Sequence, residues 1–343
     1  MAVHYSDYLQ LERILDSQYP ESDKHQLPAH DEMLFIVIHQ AYELWFKQVL
    51  HEVESVNTIL KKPALNDNSP ELQTVVHRLS RTVTILKVLV HQIDIMETMT
   101  PMDFLDFRDM LRPASGFQSW QFKVLEARLG LKFANRHGHE YYVSQLRPAQ
   151  VDLIRNAENE PSLSDLLNAW LERMPFTDTA VSLEMTPSGE DSSLSLFWQD
   201  YRNRYLASLS QAEDANKVYF DQVFLDESAR TDRSLSPKAS RAALFIMLYR
   251  GYPMLQLPFQ LLNNLLEIDE QLSTWRYRHM NMVHRMIGTR IGTGGSTGRD
   301  YLKGALDKHY IFSEIAGLNS FLIERRKLPQ LAHDLEEKLG FRS

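Results

Sequence analysis

The chain has 343 residues, 43% hydrophobic and 24% charged, and is therefore long enough to bury a core that encloses a cofactor. Its formal net charge of −8 argues against general nucleic-acid binding, which usually needs a basic surface. The absence of cysteine excludes disulfides, iron–sulfur clusters, thiolate-ligated haem and cysteine nucleophiles, and leaves 13 histidines as candidate metal ligands.

The sequence also bears on the compartment. No apolar run approaches the ~20 residues that a membrane-spanning helix needs. The segment from Met1 to Tyr8 has neither the basic start nor the apolar centre of a signal peptide. We therefore expect a cytoplasmic protein that binds neither membrane nor nucleic acid.

The first marked helical pattern covers residues 31–46. Phe35, His39 and Tyr42 are spaced to share one face of this helix, and residues 33–38 are apolar all round, which is typical of a helix buried on most sides. A histidine in such a helix must find a partner or stay neutral. A core histidine with its hydrogen bonds satisfied and a functional histidine both fit this pattern.

Two further helices follow. Apolar residues recur at steps of three or four between Ser69 and Met96, and Thr100 followed by Pro101 is a typical helix start. We expect the second of these helices to end at Arg112, because the residue before a proline is pushed out of helical geometry. Phe104 and Arg108 lie one turn apart on it. Such a pair suits a clamp for a carboxylate ligand, or a structural ion pair with a neighbouring aspartate.

Residues 151–235 differ in character, because polar, turn-rich stretches flank short helical patterns there. We interpret this region as a peripheral helical excursion from a single domain that covers residues 1–343. Ser236 and Pro237 then begin another helix, which is expected to run to about Arg250.

The last informative stretch covers residues 275–298. His279, Val283 and Met286 fall on one helical face, which suits the proximal side of a haem or an ordinary core. Four glycines lie within residues 292–298, directly after this helix. Their backbone N–H groups and the Thr293 hydroxyl suit an anion or a substrate, and a hinge would have the same composition.

Several common enzyme classes do not fit this all-α pattern. No histidine has a glutamate three residues before it, as a di-iron bundle requires. His51-Glu52 and His139-Glu140 lack the second histidine of a zinc protease motif. Residues 294–298 match Gly-x-Ser-x-Gly, but a hydrolase elbow must follow a strand and this segment follows a helix.

Three long blocks, taken together and in order, resemble the haem-dependent tryptophan 2,3-dioxygenase family. They are residues 31–46 (DEMLFIVIHQAYELWF), 104–119 (FLDFRDMLRPASGFQS) and 275–298 (WRYRHMNMVHRMIGTRIGTGGSTG). The resemblance implies an all-α helical bundle around a haem pocket. It also implies a reaction in which O₂ adds across the indole C2–C3 bond of L-tryptophan to give N-formyl-L-kynurenine, the first step of the kynurenine pathway.

The resemblance further implies roles for individual residues. Haem b would be the cofactor and O₂ the co-substrate, with His279 as the proximal iron ligand and Trp120, Val283 and Ser115 against the haem. Catalysis would involve His39, which would accept or share the indole N–H, and Ser115 at the distal oxygen site. The remaining substrate contacts would come from Arg108 to the carboxylate, Thr293 and Gly294 to the head group, and Phe35 and Phe104 to the indole ring.

The family also implies a homotetramer built as a dimer of dimers. Its N-terminal segment, here residues 1–30, lines the neighbouring subunit's pocket, so Tyr5, Tyr8 and Leu9 would be substrate contacts from a second subunit. Position 104 is Phe where some relatives have Tyr, and Thr297 replaces the usual Ser of the glycine-rich loop.

Three other functions are compatible with parts of this pattern. A related oxygenase on the same scaffold would hydroxylate tyrosine or a substituted indole. A haem or amino-acid sensor would bind its ligand without turnover, and a purely structural helical protein would bind no haem.

Overall fold

The computed structural model describes residues 2–63, 65, 69–133, 136, 145–175, 196–226, 233–288, 290, 302–304, 306 and 309–340. Within these ranges the regular structure is helical and contains no β-strand, which confirms the predicted all-α fold. The α-helices are α1 (Tyr5–Leu9), α2 (Leu11–Leu15), α3 (Glu21–Lys24), α4 (His30–Leu60), α5 (Pro70–Met96), α6 (Pro101–Arg108), α7 (Trp120–Leu129), α8 (Pro148–Asn159), α9 (Leu163–Glu172), α10 (Leu196–Ser208), α11 (Ala215–Phe224), α12 (Pro237–Leu248), α13 (Gln256–Ile287), α14 (Ser313–Gly317) and α15 (His333–Leu339).

The helix starts follow from local sequence. Ser69 and Ser236 accept hydrogen bonds from the third residue of α5 and α12, and each is followed by proline at the first helical position. Thr100 and Asp103 form a reciprocal capping box at the start of α6. The α-helical part of α6 ends at Arg108, four residues earlier than expected, and a short 3₁₀ turn continues to Leu111 before the chain extends at Arg112.

The long helices α4, α5 and α13 form the centre of the molecule. Helix α13 packs along α5, α5 packs along α4, and α4 also packs against α7. Their facing side chains form a continuous apolar core in which Val49, Val53 and Leu79 are fully buried. Most of the stabilisation of this bundle comes from that burial, at about 25 cal/mol per Å² of apolar surface.

The helices of residues 151–235 are integral to this core. The same buried cluster contains their largest aromatic side chains, which are Trp170, Trp198, Tyr201, Tyr205, Phe197, Phe220 and Phe224. The excursion is therefore peripheral to the cavity described below but not to the core. Phe197, Tyr201 and Tyr205 follow one another at steps of four residues, which is the helical spacing of a buried face.

A second, smaller apolar cluster lies where the first half of α4 meets α6 and the last turns of α13. Its buried members are Ile38, Met96, Met99, Phe107 and Met286. The expectation that residues 33–38 are buried on most sides is wrong for the single chain, because Met33 and Val37 are 44% and 46% exposed. This apolar side of α4 is therefore about half exposed in the single chain.

The N-terminal segment is attached to the bundle through two polar residues of α4. Gln40 accepts a hydrogen bond from the side chain of Gln18 (2.6 Å) and donates one to the backbone carbonyl of Ser17 (3.0 Å). The carboxylate of Glu32, which is buried, accepts hydrogen bonds from the backbone N–H groups of Glu21 (2.8 Å) and Ser22 (2.9 Å) and so holds α3 against α4. Helices α1 and α2 precede these contacts and carry exposed side chains. None of the helices in the described ranges combines the length and the apolar character that crossing a membrane requires.

Candidate active site

A cavity with a volume of about 300 Å³ lies between α4, α6, α7 and α13, where the two apolar clusters meet. Helical spacing explains how α4 contributes to it. Phe35, His39, Tyr42 and Phe46 are separated by steps of four, three and four residues, so all four point to the same side of the helix and line the cavity.

His39 is fixed in one tautomer. Its Nδ1 lies 2.7 Å from the backbone carbonyl oxygen of Phe35, and because a carbonyl can only accept, Nδ1 must carry the hydrogen. Burial lowers the pKa of His39, against the smaller opposing effects of this hydrogen bond and of the charge on Glu43. The ring is therefore neutral at pH 7, and its Nε2 is a hydrogen-bond acceptor available to a ligand.

Aromatic rings form the wall beside His39. The Phe35 ring lies 4.2 Å from the His39 ring, and it stacks on Phe104 at 5.7 Å with 28° between the planes. Phe107 meets both rings edge-on. Offset stacks and edge contacts of this kind leave flat, apolar surfaces that suit a planar aromatic ligand.

Arg108 brings a positive charge to this wall. It is the last residue of α6, only 4% of it is exposed, and it lines the cavity together with Phe104 from the preceding turn. The neighbouring Asp109 pairs instead with Arg112 at 3.1 Å on the protein surface. The planar fork of N–H donors on a guanidinium matches the two oxygens of a carboxylate.

His279 faces the cavity from α13. Its Nδ1 is buried and has no hydrogen-bond partner among the described residues, so the accessible part of the ring is its other edge. The Trp275 indole lies parallel to the imidazole, with 5.1 Å between ring centroids and 2° between planes. Burial lowers the pKa of His279 to about 4, with a further contribution from His39. The neutral imidazole is the form that binds metals.

These features fit a haem. A haem iron arrives with four ligands of its own and needs one imidazole from the protein, with apolar side chains over the porphyrin. His279 offers that imidazole, and Met282, Val283 and Met286 line the cavity beside it. Ser115 also lines the cavity, where it caps the short 3₁₀ turn Gly116–Gln118.

One end of the cavity is charged, which the sequence analysis missed. The buried carboxylate of Glu126 accepts hydrogen bonds from Arg276 and Arg136, each at 2.7 Å, and lies 3.6 Å from Nδ1 of His309. Burial alone would raise the pKa of Glu126, but the nearby His309 and the charges of the two arginines hold it well below the usual range. Glu126 is therefore ionised in the folded protein.

Lys123 belongs to the same end of the cavity. It lies one turn before Glu126 on α7 and is only 7% exposed. Burial lowers the pKa of its ammonium group to about 8. No local motif marks this charged group, because its members are far apart in the sequence. Lys123 and Glu126 lie on α7 and Arg276 lies on α13, whereas Arg136 and His309 lie outside the helices.

The structure thus brings most of the predicted residues together. The described cavity wall includes Phe35, His39, Phe104, Arg108, Ser115, His279 and Val283. Trp120 lies at the start of α7 and packs against the main core, and it is not one of the residues that line the cavity. Tyr5, Tyr8 and Leu9 do not reach the cavity of their own chain. Thr293 and Gly294 lie outside the described residues.

Fold and site together define a helical protein with a buried aromatic pocket that presents neutral imidazoles and a guanidinium to its ligand. The sequence model of the tryptophan 2,3-dioxygenase family matches residues 1–322. The chain is 41% identical to a tryptophan 2,3-dioxygenase of Bdellovibrio bacteriovorus, over 99% of this chain and 98% of that protein. The chain belongs to the tryptophan 2,3-dioxygenase family.

Other relatives agree over nearly the whole length. Tryptophan 2,3-dioxygenase of Alteromonas mediterranea is 42% identical over 98% of this chain and 97% of the relative. The protein of the same name from Dictyostelium discoideum is 39% identical over 99% of this chain and 88% of the relative.

Proposed function

We propose that this protein is a dioxygenase that opens the indole ring of L-tryptophan by adding both atoms of O₂ across the C2–C3 bond, giving N-formyl-L-kynurenine. Membership of the family supports the reaction. The observation that carries the proposal is the cavity itself, because seven residues from four separate segments, each predicted to serve this reaction, line one apolar space.

The cavity explains how tryptophan would be oriented. The Arg108 guanidinium binds the carboxylate, and the stacked Phe35 and Phe104 rings pack against the indole. Nε2 of His39 accepts the indole N–H, since Nδ1 is already engaged with the backbone. The predicted contacts of Thr293 and Gly294 with the amino-acid head group remain part of the proposal.

Haem b is the proposed cofactor, with His279 as its iron ligand and with Val283 and Ser115, which line the cavity, close to the porphyrin. When bound, it supplies the activation of O₂. The protein's own part is to bind, orient and exclude water. The low pKa of His39 keeps that ring neutral, so it positions the indole N–H and does not act as a strong base.

Assembly completes the proposal. We infer that residues 1–343 act as one unit and associate as a dimer of dimers, with Tyr5, Tyr8 and Leu9 of each subunit reaching a neighbour's cavity. Tyr5 and Tyr8 are 70% and 75% exposed in the single chain, as residues that serve a second subunit would be. The exposed apolar face of α4 at Met33 and Val37 is a second surface available for such a contact.

The proposal is tested by reducing the haem-loaded protein without oxygen and then adding L-tryptophan and air. We expect the absorbance of N-formylkynurenine to grow while the Soret band reports bound haem. A product that has gained a single oxygen atom would indicate a hydroxylating relative instead. Bound haem with no product would indicate a sensor, and no Soret band after haem addition would contradict the assignment of His279.

A further inference from the structure

Metal-binding histidines usually donate their second ring N–H to a carboxylate or a carbonyl, which fixes the tautomer and the plane of the ring. His279 is arranged differently. Within the described part of the chain, its buried Nδ1 has no hydrogen-bond partner. What the protein itself places against this imidazole is another ring.

Trp275 is in position to hold the imidazole plane. It precedes His279 by one turn of α13, so the two side chains lie on the same face of the helix. Their ring planes differ by only 2°, and the centroid separation of 5.1 Å corresponds to an offset stack. A rotation of the imidazole about its bond to Cβ would drive its edge into the indole face.

The indole is itself held in place by rings from two other helices. Phe122 of α7 lies 5.1 Å from the Trp275 ring, and Phe46 and Tyr42 of α4 meet it edge-on at 6.4 Å and 6.1 Å. Tyr42 is anchored in turn, because its hydroxyl donates to the backbone carbonyl of Leu89 in α5 at 2.9 Å. The orientation of Trp275 is therefore set by the packing of the central bundle.

We propose that Trp275 is the positioning residue for His279, holding the imidazole plane by stacking where a hydrogen bond to Nδ1 would ordinarily do so. The inference rests on the proposed role of His279 as the haem ligand. Because stacking restricts rotation without transferring a proton, it keeps the imidazole a neutral donor. A hydrogen-bonded carboxylate would instead increase the basicity of the ring.

The test uses the ferrous haem-loaded protein and reads the iron–imidazole stretching band by resonance Raman spectroscopy. We expect one narrow band from the unmodified protein. Trp275→Met leaves a flexible apolar thioether in part of the space but offers no flat face, so the band should shift and broaden as the imidazole samples several orientations. Trp275→Phe restores a flat ring and should restore the narrow band. Haem transfer to apomyoglobin should be ~10- to 100-fold faster from Trp275→Met than from the unmodified protein. Removing a group that supports a metal ligand typically weakens metal binding by about this factor.

The matched control is Trp170→Met, which makes the same change at a buried tryptophan of the main core that does not line the cavity. It should leave the band narrow. The proposal is overturned if Trp275→Met keeps the narrow band, if Trp275→Phe broadens it equally, or if Trp170→Met has the same effect as Trp275→Met. Circular dichroism shows whether each variant folds. If Trp275→Met does not fold, Trp275→Leu is used in its place.

Failure of the underlying assignment is recognised separately. His279→Ala should lose haem, whereas His284→Ala, at an exposed position on the same helix, should keep it. If His279→Ala retains haem with an unchanged spectrum, the ligand assignment is wrong. If it loses haem and Trp275→Met still gives the unmodified band, only the role of Trp275 is wrong.

Discussion

His39 illustrates how a single backbone contact determines what a side chain offers a ligand. The carbonyl of Phe35 binds the Nδ1–H, so the neutral ring presents only an acceptor to the cavity. An indole N–H is a donor that matches this acceptor. The pairing gives the site a means of recognising indole beyond apolar packing.

This leads to a prediction about substrate selection. The unmodified protein should bind L-tryptophan more tightly than 1-methyl-L-tryptophan, which has no indole N–H. His39→Ala should reduce that preference, by about 1 kcal/mol or roughly fivefold in the affinity ratio, because L-tryptophan then loses a hydrogen bond that 1-methyl-L-tryptophan never makes. Titration of the haem spectrum with each ligand measures the ratio, and an unchanged ratio in His39→Ala would refute the role of Nε2.

Arg108 gives a second prediction at this scale. Arg108→Met should weaken L-tryptophan binding by about 2 kcal/mol or more, because a buried carboxylate would lose its charged partner. Tryptamine, which has no carboxylate, should be affected far less. Arg112→Met removes an arginine from the surface close by and serves as the control. Equal losses for tryptophan and tryptamine would show that Arg108 shapes the cavity without binding the carboxylate.

At the scale of the helices, α7 and α13 are joined by a buried ionic group. Glu126 of α7 binds Arg276 of α13, and the same guanidinium donates to the backbone carbonyl of His309 at 3.0 Å. The contact fixes the segment that follows the glycine-rich loop against both helices. It lies next to the cavity and only one turn from His279.

Removing this carboxylate should be costly. Glu126→Gln leaves Arg276 and Arg136 buried with one charge fewer to balance them, and we expect a loss of about 3–5 kcal/mol in the free energy of unfolding. Urea denaturation measures it, with Glu54→Gln as an exposed control.

The sign of the pH dependence follows from the depressed pKa of Glu126. The ionised group contributes its full stability above its unfolded pKa of about 4.5, and that stability is lost as the pH falls toward the lower folded value. The difference in the free energy of unfolding between the unmodified protein and Glu126→Gln should therefore be constant near neutral pH and shrink below about pH 4.5. A difference that is unchanged in acid would contradict the assigned ionisation.

The elements also show what sequence can and cannot predict. Helix starts at Ser69, Thr100 and Ser236 were predictable because capping is local. Shared faces such as Phe35 with His39 were predictable because helical spacing is fixed. The contact of Glu126 with Arg276 joins residues 150 positions apart, and no local pattern encodes that separation. The stacking of Trp275 on His279 has the right spacing, but its planarity depends on packing from α4 and α7.

At the scale of the whole molecule, the position of the N-terminal segment decides whether the site is completed by a second subunit. The chain is attached to its own bundle from Ser17 onward, through the hydrogen bonds of Gln40 with Ser17 and Gln18 and those of Glu32. Tyr5 and Tyr8 precede these contacts and are largely exposed in the single chain. The proposed assembly places them in a neighbour's cavity.

Mixed oligomers test this arrangement. Arg108→Met damages a cavity, and a Tyr5→Ala, Tyr8→Ala double variant damages the segment that would enter a neighbour's cavity. Refolded together, the two should regain part of the activity, because an intact cavity can receive an intact segment from the other chain. Tyr19→Ala, at a position 64% exposed, is the matched control and should keep its activity on its own. If activity does not recover on mixing, the N-terminal segment does not complete the cavity of a neighbouring subunit.

The central claim is that one molecule of O₂ supplies both oxygen atoms that enter tryptophan. The direct measurement is turnover of L-tryptophan under a mixture of ¹⁶O₂ and ¹⁸O₂, followed by mass spectrometry of the product before the formyl oxygen exchanges with water. N-Formylkynurenine should carry two heavy oxygens or none. A product carrying one heavy atom, whether from scrambled oxygen or from a single inserted oxygen, would contradict it.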